Sequence, residues 1–235
     1  MINNEKKVHV TAIILAAGIG SRLGAALPKQ KVELLGKSLL LRTVEAFYYC
    51  HDIDDIVIVT RDEDVDFANK ELHFASKKIH SIISGGSSRA ESAFIGFNNI
   101  PESTTHVAIH DGARCLIDCR DISSVVSSAI KYGAASAAEA VASTVKIIEA
   151  GMIKKTISRD NIMLAQTPQV FERSLYSKAL ENVHLLDAVT DDNMILENIG
   201  IDIKAVELAC ENPKITFQKD LDYAEFLLKR RKIND

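Results

Sequence analysis

Arg22 and Lys29 stand seven residues apart, behind the glycine-bearing stretch Ala16-Ala17-Gly18-Ile19-Gly20-Ser21 and on either side of a kink near Pro28. Glycines directly after a strand let backbone N–H groups come close to an anion. Two cations beside such a loop suit a triphosphate, whose charge must be held and then redistributed as one phosphorus changes partners. A cation about 4 Å from a phosphate oxygen is worth roughly 4 kcal/mol at an effective dielectric of about 20. It speeds a reaction only where that interaction strengthens in the transition state. The residues alone equally allow a plain glycine turn with both cations solvated. Two familiar phosphate loops are excluded. A dinucleotide-binding fingerprint starting at Gly18 needs glycine where Leu23 stands, and its helix would meet Pro28. A Walker loop ending at Gly36-Lys37-Ser38 needs glycine where Lys31 stands, so that tripeptide reads as a turn with Ser38 capping the next helix.

A second group lies further along. Gly85-Gly86 precede Ser88, which is placed to cap a helix, and Ser92 lies one turn on, facing the same crevice. The alternative for Ser92 is an ordinary helix serine. Asp111 ends the apolar run His106–His110. A carboxylate at that edge suits Mg²⁺, which takes one or two carboxylates plus substrate phosphates, or it simply caps a turn. His110 reads as a buried structural histidine, because a phosphate nucleophile is already ionised and needs no base.

These residues have to be positioned by the elements around them. Val8–Leu15, Ile56–Thr60, Ile79–Ile83, His106–His110, Ala134–Val141 and Ile203–Val206 read as short strands. Helical spacing covers Ser38–Tyr49, Asp64–Lys77, a segment running to about Asn98, Ile122–Lys131, Ser174–Asn182, Asp191–Asn198 and Asp220 to about Lys229. This alternation predicts an α/β fold, a mostly parallel twisted sheet with helices on both faces, with ligands collecting beyond the carboxyl ends of the strands. Val145–Ile157 breaks the pattern as a hairpin around Glu149-Ala150-Gly151. A lone two-stranded hairpin is marginal in water, so it needs a surface to pack on, and a partner subunit is one candidate. Residues 1–235 are expected to form one domain with this arm projecting at about 142–160.

Composition sets outer limits. The chain has 235 residues, 47% hydrophobic and 26% charged, the profile of a globular chain and not a disordered one. A net charge of −4 supplies no basic field for nucleic acid. No apolar run is long enough for a membrane span, and MINNEKKVHV lacks the apolar stretch of a secretory leader. Cys50, Cys115, Cys119 and Cys210 form neither a disulfide framework nor a zinc site. The expectation is a cytoplasmic protein with no membrane and no nucleic-acid partner.

The first loop resembles that of nucleotidyl transferases with a Rossmann-like core, the nucleotide-diphospho-sugar transferase-like fold. Leu15-Ala16-Ala17-Gly18-Ile19-Gly20-Ser21-Arg22 with Pro28-Lys29-Gln30 is similar to the 2-C-methyl-D-erythritol 4-phosphate cytidylyltransferases. The likeness continues through Arg89-Ala90-Glu91-Ser92 behind Gly85-Gly86, His110-Asp111-Gly112-Ala113-Arg114, Thr144-Val145-Lys146 and Arg159. Gln166-Thr167-Pro168-Gln169, Thr190-Asp191-Asp192, Lys214-Ile215-Thr216 and Asp220-Leu221 complete it. The resemblance implies transfer of CMP from CTP to methylerythritol phosphate, with release of pyrophosphate, in isoprenoid precursor synthesis. It implies that Arg22, Lys29, Arg159 and Lys214 are catalytic. Ala16, Ala17, Gly18 and Gly20, with Gly85, Gly86, Ser92 and Gly112, would bind the nucleotide. Thr144, Arg159, Thr167 and Lys214 would meet the acceptor, and Asp111 would hold Mg²⁺. It also implies a homodimer whose arm carries Thr144 and Arg159 to the neighbouring site.

Departures from the family pattern leave the triphosphate cations and Asp111 untouched, and two of them, Ser143 and Pro213, fall near the acceptor side. Ser143 replaces an aspartate, Pro213 an apolar residue with an N–H, Cys115 a proline and Lys31 an aromatic. Two alternatives remain open. One is the same chemistry on ribitol 5-phosphate, although such enzymes carry A-G-G where this chain has Ala16-Ala17-Gly18. The other is a nucleotide-binding protein without turnover, which would be marked by loss of Arg22, Lys29 or Asp111.

Overall fold

The computed structural model describes residues 7–23, 28–182 and 188–234; residues 24–27 of the first loop lie outside it. In chain order the first elements are β1 (Val10–Leu15), the short strands β2 (Glu33–Leu34) and β3 (Lys37–Ser38), α1 (Leu39–Tyr48), β4 (Asp55–Thr60) and α2 (Val65–Glu71). There follow β5 (Ile79–Ser84), α3 (Arg89–Phe97), β6 (His106–Asp111), α4 (Cys119–Tyr132) and β7 (Ala134–Ala140). The last are β8 (Val145–Glu149), β9 (Met152–Ile157), β10 (Met163–Glu172), α5 (Arg173–Leu180), α6 (Asp192–Glu197), β11 (Lys204–Glu207) and α7 (Gln218–Asn234).

β1 is buried along its whole length because it lies inside the sheet, parallel to β4 on one side and β6 on the other. Its side chains divide by the two-residue period of a strand. Val10, Ala12 and Ile14 join a core with α1, α2 and α4, while Ile13 and Leu15 join one with α3, α5 and α6. The sheet runs β11-β7-β10-β6-β1-β4-β5, with helices on both faces as expected. A third cluster packs α7 through Ala224 and Leu227 against Leu23, Leu34 and Ile215.

One central strand is absent from the sequence reading. β10 lies antiparallel between β6 and β7. Pro168 and the glutamines around it argue against a central strand, since proline donates nothing to a ladder. The structure accommodates them by breaking register with β7 between Ala165 and Gln169, so Pro168 falls in the gap.

Boundaries follow local chemistry. Ser38 caps α1 by accepting from the Leu41 N–H, as expected. The helix expected over Asp64–Lys77 ends at Glu71 and continues as a tighter 3-10 turn over His73–Ala75, bringing both Leu72 and Ala75 into the core. α4 starts three residues earlier than expected because Asp118 caps it, and stops at left-handed Gly133.

β8 and β9 pair only with each other, through a turn in which Ala150 and Gly151 both have positive φ. That is the backbone of a two-residue hairpin loop. Ile148, Met152 and Ile153 on this arm are more than half exposed. No helix among the described residues is long and apolar enough to cross a membrane.

Candidate active site

The carboxyl ends of β1, β4, β5 and β6 open into one cleft of about 590 Å³. Its walls are the loops after these strands, closed by Lys214 and Thr216. Ala17, Gly18, Gly20, Arg22 and Lys29 line it, as do Gly85, Gly86, Ser92, Asp111 and Lys214. These ten residues, expected from the sequence to share one site, meet in one crevice.

Two glycines make the walls close enough. Gly20 has φ +72°, and a Cβ there would lie 2.5 Å from Lys29 Cβ. Only glycine lets the first loop lean on the turn that carries Lys29. A Cβ on Gly85 would lie 2.7 Å from Ser92 Oγ and 2.8 Å from Ala17 Cβ, so Gly85 brings the third loop against the first. Ser88 caps α3 by accepting from the Glu91 N–H, and Ser92 Oγ accepts from the Gly86 N–H at 3.1 Å.

Lys29 is buried in the cleft floor at 9% exposure, whereas Arg22 is exposed with its guanidinium over the Phe217 ring. Burial pushes the Lys29 ammonium down to about 8, and the nearby cations Lys214 and Arg22 act in the same direction against Asp111 and Asp220. An anion entering here meets cations that already repel one another.

Asp111 is the opposite pole. Its Oδ1 accepts from Arg89 Nε at 2.9 Å and its Oδ2 lies 2.6 Å from Lys214 Nζ. Burial alone would raise its pKa, but Arg89 and Lys214 outweigh that and hold the carboxyl well below its usual range. The Asp111 N–H donates to Thr167 Oγ1 at 3.0 Å. Thr167 in turn meets His110 Nδ1 at 3.1 Å, and His110 Nε2 lies 3.1 Å from the Arg114 carbonyl. The carbonyl can only accept, so Nε2 carries the proton and Nδ1 accepts from Thr167. Complete burial pushes His110 down to about 4, which keeps it neutral, the structural histidine expected from its sequence position.

Several expected contacts are placed elsewhere. Thr167, expected at the acceptor, is buried beneath Asp111 with its hydroxyl engaged, because β10 runs directly beside β6. Ala16 and Gly112 lie under the cleft floor, their N–H groups donating to Val59 O and Leu15 O. Thr144 and Arg159 are exposed at the base of the arm and do not line this cleft; Arg159 donates to the Ala142 carbonyl.

The departures have local explanations. Lys31 pairs with Asp64 at 2.7 Å and lies over the Phe67 ring. Asp64 also accepts from Arg61, so the turn carrying Lys29 is tied to the loop after β4. Cys115 is buried in the α7 cluster, and burial raises its thiol to about 12. Pro213 needs no N–H, because Asn212 Nδ2 donates to Thr167 O and the Ile215 N–H donates to Ala113 O on either side of it. Ser143 is exposed at the base of the arm.

The sequence reading gave Arg89, Gln169 and Asp192 no role. Arg89 donates to both Asp111 and Asp192, and Gln169 accepts from the Asp192 N–H, pairings across the sheet that no local spacing displays.

A mostly parallel α/β sheet whose strand ends carry a glycine-rich loop and the cations Arg22, Lys29 and Lys214 around Asp111 has the fold and cleft of a nucleotidyltransferase. A family model described as "IspD: 2-C-methyl-D-erythritol 4-phosphate cytidylyltransferase" matches residues 10–230, and the chain belongs to that family of cytidylyltransferases. It is 38% identical over 226 residues to the 2-C-methyl-D-erythritol 4-phosphate cytidylyltransferase of Clostridium acetobutylicum, covering 94% of this chain and 98% of that one. The crystal structure of 4-diphosphocytidyl-2C-methyl-D-erythritol synthase from Anaerococcus prevotii is similar at a TM-score of 0.84 and 28% identity, covering 94% of this chain and 99% of that one. The Francisella tularensis 2-C-methyl-D-erythritol 4-phosphate cytidylyltransferase gives 0.78 and 32% identity, covering 93% and 99%.

Proposed function

We propose that this chain transfers CMP from CTP to 2-C-methyl-D-erythritol 4-phosphate, forming CDP-methylerythritol and pyrophosphate. The observation that carries the reading is the convergence of Arg22, Lys29, Asp111 and Lys214 on one cleft at the strand ends. The acceptor's phosphate oxygen attacks the α-phosphorus, the bond from that phosphorus to the bridging oxygen breaks, and pyrophosphate leaves with the electron pair. No base is required. Catalysis is positioning plus charge stabilisation, as in other phosphoryl-type transfers.

In this reading the free amides of the first loop and Arg22 hold the triphosphate, and Lys29 faces the α-phosphate, where charge builds. Gly85, Gly86 and Ser92 border the base and ribose. Ser92 Oγ accepts from Gly86, which leaves its O–H to donate. Lys214, a half-exposed cation at the rim, takes the acceptor's phosphate.

Asp111 fits a Mg²⁺ ligand: it is a single carboxylate kept ionised by its neighbours, beside the place for phosphates, and its Oδ2 has the flexible Lys214 as its one close partner, with Arg114 Nε further off at 4.0 Å. The ion, when bound, would neutralise part of the triphosphate charge.

The arm supports a homodimer. Its exposed Ile148, Met152 and Ile153 need a cover that the rest of the described chain does not provide. A partner packed there would receive Thr144 and Arg159 at its own acceptor site. A cytoplasmic setting fits the four cysteines, all free thiols.

Pyrophosphate release with CTP and Mg²⁺, assayed with each acceptor separately, tests the reading. Release with methylerythritol phosphate is expected. Release with ribitol 5-phosphate alone transfers the assignment to that acceptor, and tight CTP binding without release from either leaves a binding protein.

A further inference from the structure

Arg89 is the first residue of α3, and its guanidinium joins two carboxylates from different elements. Nε donates to Asp111 Oδ1 at 2.9 Å and Nη1 to Asp192 Oδ2 at 2.8 Å. Asp192 is closed to solvent and is itself fixed. Its Oδ1 accepts from the Tyr176 hydroxyl at 2.7 Å, and its N–H donates to Gln169 Oε1 at 2.9 Å. Gln169 Nε2 reaches Asp191 Oδ2 at 2.8 Å, and Asn193 Nδ2 fastens the same turn to Ser136 Oγ at 2.9 Å. The remaining guanidinium nitrogen, Nη2, is buried without a partner. An unsatisfied buried donor is unfavourable, so the guanidinium sits where the two carboxylates require it and not where its own donors are best served.

We propose that Arg89 is a positioning residue, a strut seated on Asp192 that pins Asp111 Oδ1 and leaves Oδ2 as the exchangeable oxygen. The two oxygens have different keepers. Oδ1 faces a planar fork anchored on a buried carboxylate. Oδ2 faces, at 2.6 Å, the ammonium of Lys214, whose side chain is 42% exposed and can swing away without disturbing the sheet, while the nearest other cation, Arg114 Nε, stands beyond hydrogen-bond reach at 4.0 Å. If Asp192 loses its charge, Arg89 is released to turn two nitrogens onto Asp111 and occupy Oδ2 as well. The inference rests on reading Asp111 as the carboxylate that holds the divalent ion.

The test is calorimetric, on the full chain, with CTP titrated in Mn²⁺ and again in chelator. The ratio of the two dissociation constants isolates the metal-dependent part of binding. Asp192→Asn keeps the shape and removes the charge, and is expected to shrink that ratio about 10-fold while metal-free CTP affinity stays the same. Arg89→Lys, which reaches only one carboxylate, should do the same and covers the case in which the first variant fails to fold. Tyr176→Phe keeps the charge of Asp192 and should leave the ratio intact. A purely structural Asp192 would lower the melting temperature and leave the ratio unmoved. Collapse of the ratio in Asp111→Asn, with none in Asp192→Asn or Arg89→Lys, overturns the strut alone. No change in Asp111→Asn overturns the metal assignment and the strut together.

Discussion

Lys214 Nζ lies 2.6 Å from Asp111 Oδ2, so the cation proposed for the acceptor's phosphate is paired with the carboxylate proposed for the metal. The two roles compete for one contact. Lys214→Met should therefore raise the acceptor KM by about 10-fold or more, the loss of one charged hydrogen bond. CTP affinity in the presence of Mg²⁺ should hold or improve. Steady-state kinetics with calorimetry separate the two, and a fall in CTP affinity matching the rise in acceptor KM would place Lys214 on the nucleotide instead.

Lys29 carries the largest expected effect. Lys29→Ala should lower kcat by about 100- to 1,000-fold with the fold intact, the range seen when a donor to developing negative charge is removed. Its pH behaviour is distinctive, because an ammonium pushed down to about 8 is charged below that pH and neutral above it. For the wild type, kcat/KM for CTP should drop as pH rises through about 8, since this ratio reports the free enzyme. Lys29→Arg should stay level to about pH 9, at whatever activity it retains. An unchanged drop in the arginine variant would assign the titration to a different group.

Asp64 ties two loops at the mouth of the cleft, with Lys31 at 2.7 Å and Arg61 Nη2 at 2.5 Å from its two oxygens. Burial raises its pKa, but those two cations outweigh it, so the carboxyl sits below its ordinary range. Its contribution is therefore complete above the usual carboxylate pKa and is lost as pH falls through the depressed folded value. Asp64→Asn should cost about 2 kcal/mol, less than a fully buried pair because Lys31 and Arg61 are partly exposed. That corresponds to roughly 5 °C in melting temperature at neutral pH. The gap between variant and wild type should narrow in acid, and a gap independent of pH would mean that the charge is not what matters.

The arm can be tested by mixing. If Arg159 serves the neighbouring subunit and Lys29 its own, Lys29→Ala and Arg159→Ala homodimers are both impaired. Co-refolded chains form heterodimers with one intact site out of two, so about a quarter of wild-type activity should return. Activity that stays at the average of the two impaired enzymes would put Arg159 in its own subunit's site.

Local chemistry made much of the fold legible in advance. β1 announced itself because a strand flanked by parallel neighbours, with helices on both faces, has to be apolar throughout. Ser38 and Ser88 marked helix starts because a hydroxyl acts on an N–H three residues away. β10 stayed hidden because its pairing is long-range and its proline falls in a register break that only the neighbouring strand defines. For the same reason the support that Thr167 gives Asp111 from behind could not be read from the sequence. The cations of the first loop could be read from spacing. The strut from Asp192 through Arg89 to Asp111 could not, since its contacts join residues 103 and 22 apart that meet only across the sheet.

The most direct measurement is a crystal structure with CTP bound. The account requires the triphosphate against the Gly18–Gly20 amides, the α-phosphate within hydrogen-bond reach of Lys29 Nζ, and Arg22 turned from Phe217 onto a phosphate oxygen. A triphosphate bound elsewhere, with both cations directed to solvent, would contradict it.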